Sequence, residues 1–366
     1  MVINYHDKYF NFYEFFNTEN GTLVRTDSKS VEGVVSQPSM RSFPELLDVG
    51  IMGHCTNYNY SICQAAGIDC YQQGPKSKKP NMIFADYISI LEQSKGKVFQ
   101  IALGGAGDPN AHSEFVDILK ATNDYGIVPN LTTSGSMLRK EDIMAMATYC
   151  GAVAVSYYSR LNESLKESNI HTINAVSKLK QGGCKVNVHY VINKDTIKDA
   201  CIRLEKNIFP NEIDAVIFLL YKPVGFGLKE KTIQIDEPSL DHFLYLVFNN
   251  PHPFQIGFDT CFTPALLPYS KKLLSESIDT CEAAKFSMYI DCELNAFPCS
   301  FGLDIFNGIS LREKSINGIW WSKEFSDFRK LTAYNECNDC KDFWFCNGGC
   351  PLKLPITICA QSKSQK

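Results

Sequence analysis

Between residues 48 and 249 the chain alternates between two hydrophobic periods. Short runs rich in β-branched and aliphatic residues occur at 49–54, 98–103, 128–132, 152–157, 185–191 and 215–220. Between them, apolar residues recur three and four positions apart: Tyr87, Ile88 and Leu91; Phe115, Ile118 and Leu119; Ile143, Met144 and Met146; Ile173, Val176 and Leu179; Ile197, Ala200 and Leu204. The first pattern predicts strands and the second helices. Asp86, Ser113 and Asn174 stand near the predicted helix starts, and Gly96, Gly126, Gly151 and Gly182-Gly183 near the ends. A further helix is predicted over 240–249. Six strands alternating with helices predict an α/β fold built on a parallel sheet, open or curled into a partial (β/α)6 barrel.

Residues 1–44 are aromatic-rich, and Asn20-Gly21 between FYEFFNTE and TLVRT is a two-residue hairpin signal. A small N-terminal hairpin packed on the main domain is expected. The alternation stops near residue 258, and from Cys261 onward the chain is rich in cysteine and short segments. The expected division is therefore 1–44 as an N-terminal extension, 45–258 as the partial barrel, 259–360 as a small cysteine-rich domain, and 361–366 (QSKSQK) as a frayed polar tail.

With 366 residues, 45% hydrophobic and 21% charged, the chain can bury one large core and a smaller one. A net charge of −4 provides no basic field for nucleic acid, and the stretch at 76–79 reads as a solvated loop. No apolar run approaches the ~20 residues that span a bilayer. The opening MVINYHDKYFNFYEFF lacks the layout of a signal peptide. A cytoplasmic protein with no membrane partner is expected. Fifteen cysteines, an odd number, do not suit a disulfide framework in a reducing compartment. The clustered ones read as metal ligands.

Seven of them lie near the C-terminus: Cys281, Cys299, Cys337, Cys340, Cys346, Cys350 and Cys359. The middle four read C-x2-C-x5-C-x3-C in ECNDCKDFWFCNGGCP. Their number points to more than one metal centre. Ligand type alone does not separate zinc from iron–sulfur, but two interleaved sites together with a separate cysteine loop favour iron–sulfur. That loop carries Cys55, Cys63 and Cys70 directly after the first predicted strand, where α/β folds place their chemistry. Three thiolates are one short of closing a [4Fe–4S] cluster, which leaves one iron open to a small molecule. After the second strand, LGGAGDPN supplies Gly104 and Gly105 for close backbone approach and Asp108 for an ammonium group. Cys150, Cys184 and Cys201 are isolated and read as small buried hydrophobes. His54 reads as a loop hydrogen-bonder and His189 as a core or barrel-interior histidine. Phe343, Trp344 and Phe345 are expected to shield the last metal site from water.

These features resemble the radical S-adenosylmethionine (SAM) enzymes of the subgroup with a C-terminal SPASM domain, over roughly residues 45–360. The seven C-terminal cysteines match in order, although Leu294 stands where a glycine usually precedes the second by five positions, so a different turn is expected there. The resemblance implies that Cys281, Cys299 and Cys350 ligate one auxiliary [4Fe–4S] cluster, with Cys261 favoured over Cys292 as a fourth ligand. It implies that Cys337, Cys340, Cys346 and Cys359 ligate a second. A third cluster, on Cys55, Cys63 and Cys70, would bind SAM. Here the loop departs from the family, with C-x7-C-x6-C in place of C-x3-C-x2-C, and Asp69 in place of the aromatic residue before the third cysteine. Gly104-Gly105 resembles the family's glycine pair, with Ala106 where an acid is usual and Asp108 as its substitute. Ser134, Ser156 and Asn193 are carried over as further cofactor contacts. The implied activity is reductive cleavage of SAM to a 5′-deoxyadenosyl radical that abstracts hydrogen from a substrate. Relatives commonly modify peptides or proteins, which makes a peptide or protein side chain the leading substrate. The segment before the first strand is short for a leader-binding domain, so a separate peptide-recognition protein is expected, along with an electron donor such as flavodoxin or ferredoxin. The alternatives are radical modification of a small metabolite and a noncatalytic metal-binding scaffold.

Overall fold

The computed structural model describes residues 1–27, 38–55, 63, 66–167, 170–210, 212–234, 237–273 and 278–359. The tail at 361–366 lies outside the described residues, as do 56–62 and 64–65 of the first cysteine loop.

Three N-terminal strands, β1 (Val2–Asp7), β2 (Phe12–Asn17) and β3 (Leu23–Asp27), form an antiparallel sheet in that order. The expected hairpin is present as β2–β3, but its connection runs from Thr18 to Thr22 and another strand precedes it. Asn20 spends its side-chain carbonyl on the N–H of Thr22 (3.0 Å), and Gly21 takes φ +75°, which makes a longer turn than two residues. Along β2, Phe12 and Phe16 point inward while Tyr13 and Phe15 are exposed. Phe16 stacks on Phe99 of the main body at 5.3 Å. Glu14, fully buried in the same row, pairs with Arg41 at 2.7 Å.

The main sheet has ten strands. It begins with β4 (Leu46–Met52), β5 (Gln100–Gly105), β6 (Val128–Thr133), β7 (Val153–Ser156), β8 (Val186–Ile192), β9 (Ala215–Leu220) and β10 (Gln255–Phe258), all parallel and paired in sequence order. On the other side of β4 lies β11 (Ser287–Ile290), also parallel, and then β12 (Asn295–Phe297) and β13 (Ile309–Ser310) run antiparallel. The sheet is open, with β10 and β13 at its edges, and makes a partial barrel.

The connecting helices are α1 (Phe84–Ser94), α2 (Phe115–Asp124), α3 (Lys140–Tyr149), α4 (His171–Gln181), α5 (Ile197–Lys206) and α6 (Pro238–Asn249). Their apolar stripes share one core with Val49, Ile51, Ile101, Leu103, Val155, Val188 and Phe218 of the strands. Met144, expected on the stripe of α3, is instead 61% exposed. The period of two then sends alternate residues to the inner face: Asp48, Gly104, Asn130, Thr132, Ser156, Asn187 and His189 are half-buried there, apart from Gly50, which is buried. Strand ends meet loops at one rim, and that rim carries the chemistry.

Candidate functional site

Cys55 follows β4 by three residues, and its N–H donates to the carbonyl of Gly74 (3.1 Å). Gly53, Gly74 and Gly107 permit the close loop packing: a Cβ on Gly74 would lie 1.8 Å from the Ala106 carbonyl oxygen, and one on Gly107 2.6 Å from that of His54. His54 bonds the Lys79 carbonyl (2.9 Å), the loop role expected of it. Lys79 itself pairs with Glu293 at 2.6 Å, so the 76–79 stretch is tied to the β11–β12 turn and is not merely solvated. Burial pushes the Cys63 thiol up to about 11 against a hydrogen bond from Tyr158, and nearby Asp108, Cys55 and Cys70 add to the rise. Cys55, Cys70 and Asp108 therefore all lie within reach of Cys63 electrostatically. The carbonyl of Cys70 accepts from Phe226 N–H (3.1 Å), which lays the loop after β9 over it. Asp69 bonds Lys231 (2.7 Å) and the Tyr221 hydroxyl (2.9 Å), while Tyr71 puts its ring 4.7 Å from Phe301.

The glycine pair divides its duties. Gly105 sits at φ +115°, and a Cβ there would lie 2.4 Å from the Met52 carbonyl oxygen, so the fold itself requires glycine. A Cβ on Gly104 would meet nothing within 4 Å. Local packing does not explain that glycine. Asp108 accepts hydrogen bonds from the Ser134 N–H (2.9 Å) and the Ser134 hydroxyl. Ser156 hydrogen-bonds Tyr158, which links it through that phenol to Cys63. Tyr158 was missed by sequence reading; its place two residues after β7 on the rim was the available signal. Asn193 behaves differently. Its side-chain carbonyl accepts from the N–H groups of Asp195 (2.8 Å) and Thr196 (3.0 Å), forming the turn into α5.

Near the opposite end of the chain, Cys261, Cys281, Cys299 and Cys350 line one small cavity with Phe301, Phe328, Leu352 and Ile356. Burial pushes Cys281 up to about 11 and Cys299 to about 12, so these thiols ionise only when a cation replaces their protons. Cys292 lies elsewhere, beside Asp291, Lys79 and Glu293. Lys222 lines the same cavity; burial opposes its charge, but Asp259 and then Cys261 hold it well above the usual lysine range. Cys346 has Cys359, Cys337 and Cys340 as its charged neighbours, which makes a third thiol group. The interleaving follows from Asn347, Gly348 and Gly349, all in the left-handed region (φ +46°, +81°, +71°). They reverse the chain between Cys346, in the short helix α7 (Phe343–Cys346), and Cys350. The chemistry of the donor set, all thiol in apolar surroundings, fits sulfur-ligated iron. Among the described residues, no three His, Cys, Asp or Glu side chains are gathered as the ligands of a single ion would be.

Residues 281–341 match the model of the SPASM family, an iron-sulfur cluster-binding domain. The whole chain superposes on SuiB of Streptococcus suis with a TM-score of 0.70 at 16% identity, over 96% of this chain and 94% of that one. It also superposes on anSMEcpe, with a TM-score of 0.59 at 15% identity, over 87% and 95% of the two chains. The protein shares the fold of these two structures and carries a SPASM-domain match. SuiB has been solved with S-adenosylmethionine and with the precursor peptide SuiA, and anSMEcpe with AdoMet and the Cp18Cys peptide. A curated relative is the tungsten-containing aldehyde ferredoxin oxidoreductase cofactor-modifying protein of Pyrococcus furiosus, 21% identical over 304 residues, 74% of this chain and 82% of that one.

Two expectations about the SPASM domain need correction. Leu294 adopts φ +64°, so the turn keeps the left-handed geometry for which glycine is suited, and a buried leucine occupies it. Asp291 supports that turn by accepting from the N–H groups of Glu293 (3.0 Å) and Asn295 (2.8 Å). Of the three aromatics expected to shield the last thiol group, only Phe345 is buried; Trp344 is 66% exposed and Phe343 stands at the surface. Among the described residues, no helix is long and apolar enough to cross a membrane.

Proposed function

We propose that this protein is a radical SAM maturase that modifies a peptide or protein side chain. The observation that carries the reading is the convergence of Cys55, Cys63 and Cys70 with Asp108 beside the open Gly104 position, at the rim of the parallel sheet. Bound on those three thiolates, a [4Fe–4S] cluster would present one iron to SAM and supply the electron that releases a hydrogen-abstracting 5′-deoxyadenosyl radical. The chain's own residues do the rest. Gly104 leaves room for the methionine moiety, Asp108 with Ser134 offers an anionic partner for its ammonium, and Ser156 with Tyr158 braces Cys63. Asn193, already committed to its turn, is the weakest of the carried-over contacts. Two auxiliary [4Fe–4S] clusters would be held by Cys261, Cys281, Cys299 and Cys350, and by Cys337, Cys340, Cys346 and Cys359. In this reading residues 45–258 form the barrel and 259–360 the auxiliary domain. A flavodoxin or ferredoxin serves as donor, and a separate protein presents the peptide.

The peptide-bound SuiB and anSMEcpe structures favour a peptide substrate. The name of the Pyrococcus furiosus relative favours a second reading, modification of a small cofactor. Anaerobic reconstitution tests the common core: iron with matching sulfide and reductant-dependent 5′-deoxyadenosine are expected. Cys55/Cys63/Cys70→Ala should abolish the nucleoside and remove one cluster's worth of iron. An unchanged cluster inventory in that variant refutes the proposal.

A further inference from the structure

The wall of the cavity lined by Cys261, Cys281, Cys299 and Cys350 includes one charged side chain, Lys222. It follows β9 by two residues and is only 8% exposed. Its ammonium donates to the Leu220 carbonyl (2.9 Å) and to Asp259 Oδ2, and lies 4.7 Å from the centre of the Phe301 ring. Asp259 is not on the cavity wall; it stands behind the lysine, where Oδ2 also accepts from the Leu220 N–H (3.2 Å). The other oxygen, Oδ1, is buried without a hydrogen-bond partner. The pair is therefore a fixed dipole with its positive end toward the sulfurs. Cys261, Cys299 and Cys350 all lie within reach of the lysine's charge, and Cys261 and Cys350 also within reach of the opposite charge of Asp259.

A buried ion pair is costly, and well-packed apolar residues would fill the same space at equal or better stability. Four thiolates around a cluster change that balance, because the cluster becomes more negative by one charge on each one-electron reduction. A cation held against it in a poorly screened interior favours the reduced form. In the third thiol group, the charged neighbours that raise Cys337 and Cys346 are cysteines and Glu336.

Resting on the cluster assignment above, we propose that Lys222 is the positioning residue that raises the reduction potential of the cluster on Cys261, Cys281, Cys299 and Cys350. Asp259 fixes the lysine's place and moderates its effect.

The test is an EPR-monitored redox titration of the anaerobically reconstituted full chain. Signals are assigned by comparison with Cys281→Ala and Cys337→Ala. Lys222→Met is expected to lower the potential of the Cys281-dependent signal so that its reduced-to-oxidised ratio at the wild-type midpoint falls at least tenfold, about 59 mV for one electron. Lys222→Arg should retain the wild-type value, and Asp259→Asn should shift it upward. The Cys337-dependent signal should not move in any of them. If Lys222→Met fails to assemble, Asp259→Asn, which leaves the cation in place, still decides. An unmoved potential in the assembled variants overturns the role of Lys222. If neither Cys281→Ala nor Cys337→Ala removes a signal, the cluster assignment itself is overturned, and the inference with it.

Discussion

Gly104 and Gly105 are adjacent in sequence, yet the same substitution should fail in opposite ways at the two positions. At Gly105, alanine must adopt φ +115° and place its methyl carbon 2.4 Å from the Met52 carbonyl oxygen and 3.1 Å from Gly50 Cα. Backbone strain of ~1–3 kcal/mol and overpacking of ~1–3 kcal/mol outweigh the ~0.4–1 kcal/mol gained by restricting the unfolded chain, leaving ~2–5 kcal/mol of destabilisation. At ~2–4 °C per kcal/mol, an upper figure for a chain this long, the melting point should fall by roughly 4–20 °C. At Gly104 the added methyl meets nothing within 4 Å and the backbone lies outside the left-handed region. Gly104→Ala should therefore melt with wild type or slightly above it, by ~0.4–1 kcal/mol. If SAM fills the cradle, the methyl overlaps it at ~1–3 kcal/mol, and affinity falls ~5–150-fold. Thermal melts and equilibrium dialysis of labelled SAM, both anaerobic and on reconstituted protein, measure the two quantities independently. Wild-type SAM affinity in Gly104→Ala would refute the cradle, and a wild-type melt in Gly105→Ala would refute the steric reasoning.

Other predictions concern the supports of the site. Arg203, fully buried on α5, bonds Glu167 (2.7 and 2.8 Å) and Asp199 (2.6 Å), and so pins the loop after β7 that carries Tyr158. Arg203→Met should cost ~3–5 kcal/mol, and adding Glu167→Gln and Asp199→Asn should restore much of it; a melt of the single variant equal to wild type refutes this. Burial pushes Asp48 up to about 6 against a Ser300 hydrogen bond, above its unfolded value of 3.8. The folded state then holds the proton more tightly, so the associated stability is present at low pH and is lost as pH rises from ~4 through ~6, at most ~3 kcal/mol. Asp48→Asn should gain on wild type between pH 4 and 7 in thermal melts; parallel curves rule the effect out. Cys261→Ser should remove iron, whereas Cys292→Ser should leave the iron content at the wild-type level; the reverse result overturns the choice of fourth ligand.

The alternation of periods was legible because each inner strand meets helices on one face, and that face must be apolar. All six expected strands overlap observed ones. β10 escaped notice because QIGF is short, half-exposed and broken by Gly257, whose missing Cβ leaves room for Ile217. β11 looked like part of a separate cysteine-rich segment because its pairing with β4 is a long-range contact with no local signature. Asn174 lies inside the first turns of α4, which begins at His171. At the site, the thiol groupings follow the spacing pattern, but the partnerships of Asp108 with Ser134 and of Cys63 with Tyr158 depend on three loops meeting. The ties from Arg25 to Glu282 and Asp279 likewise join residues more than two hundred positions apart.

On the proposed cluster assignment, three consecutive left-handed residues after Cys346 lace a single strand of chain through two inorganic centres. Filling either one fastens the backbone that frames its neighbour, so loading should be all-or-none in character. Native mass spectrometry during iron titration should find empty and doubly filled SPASM domains in excess over singly filled ones.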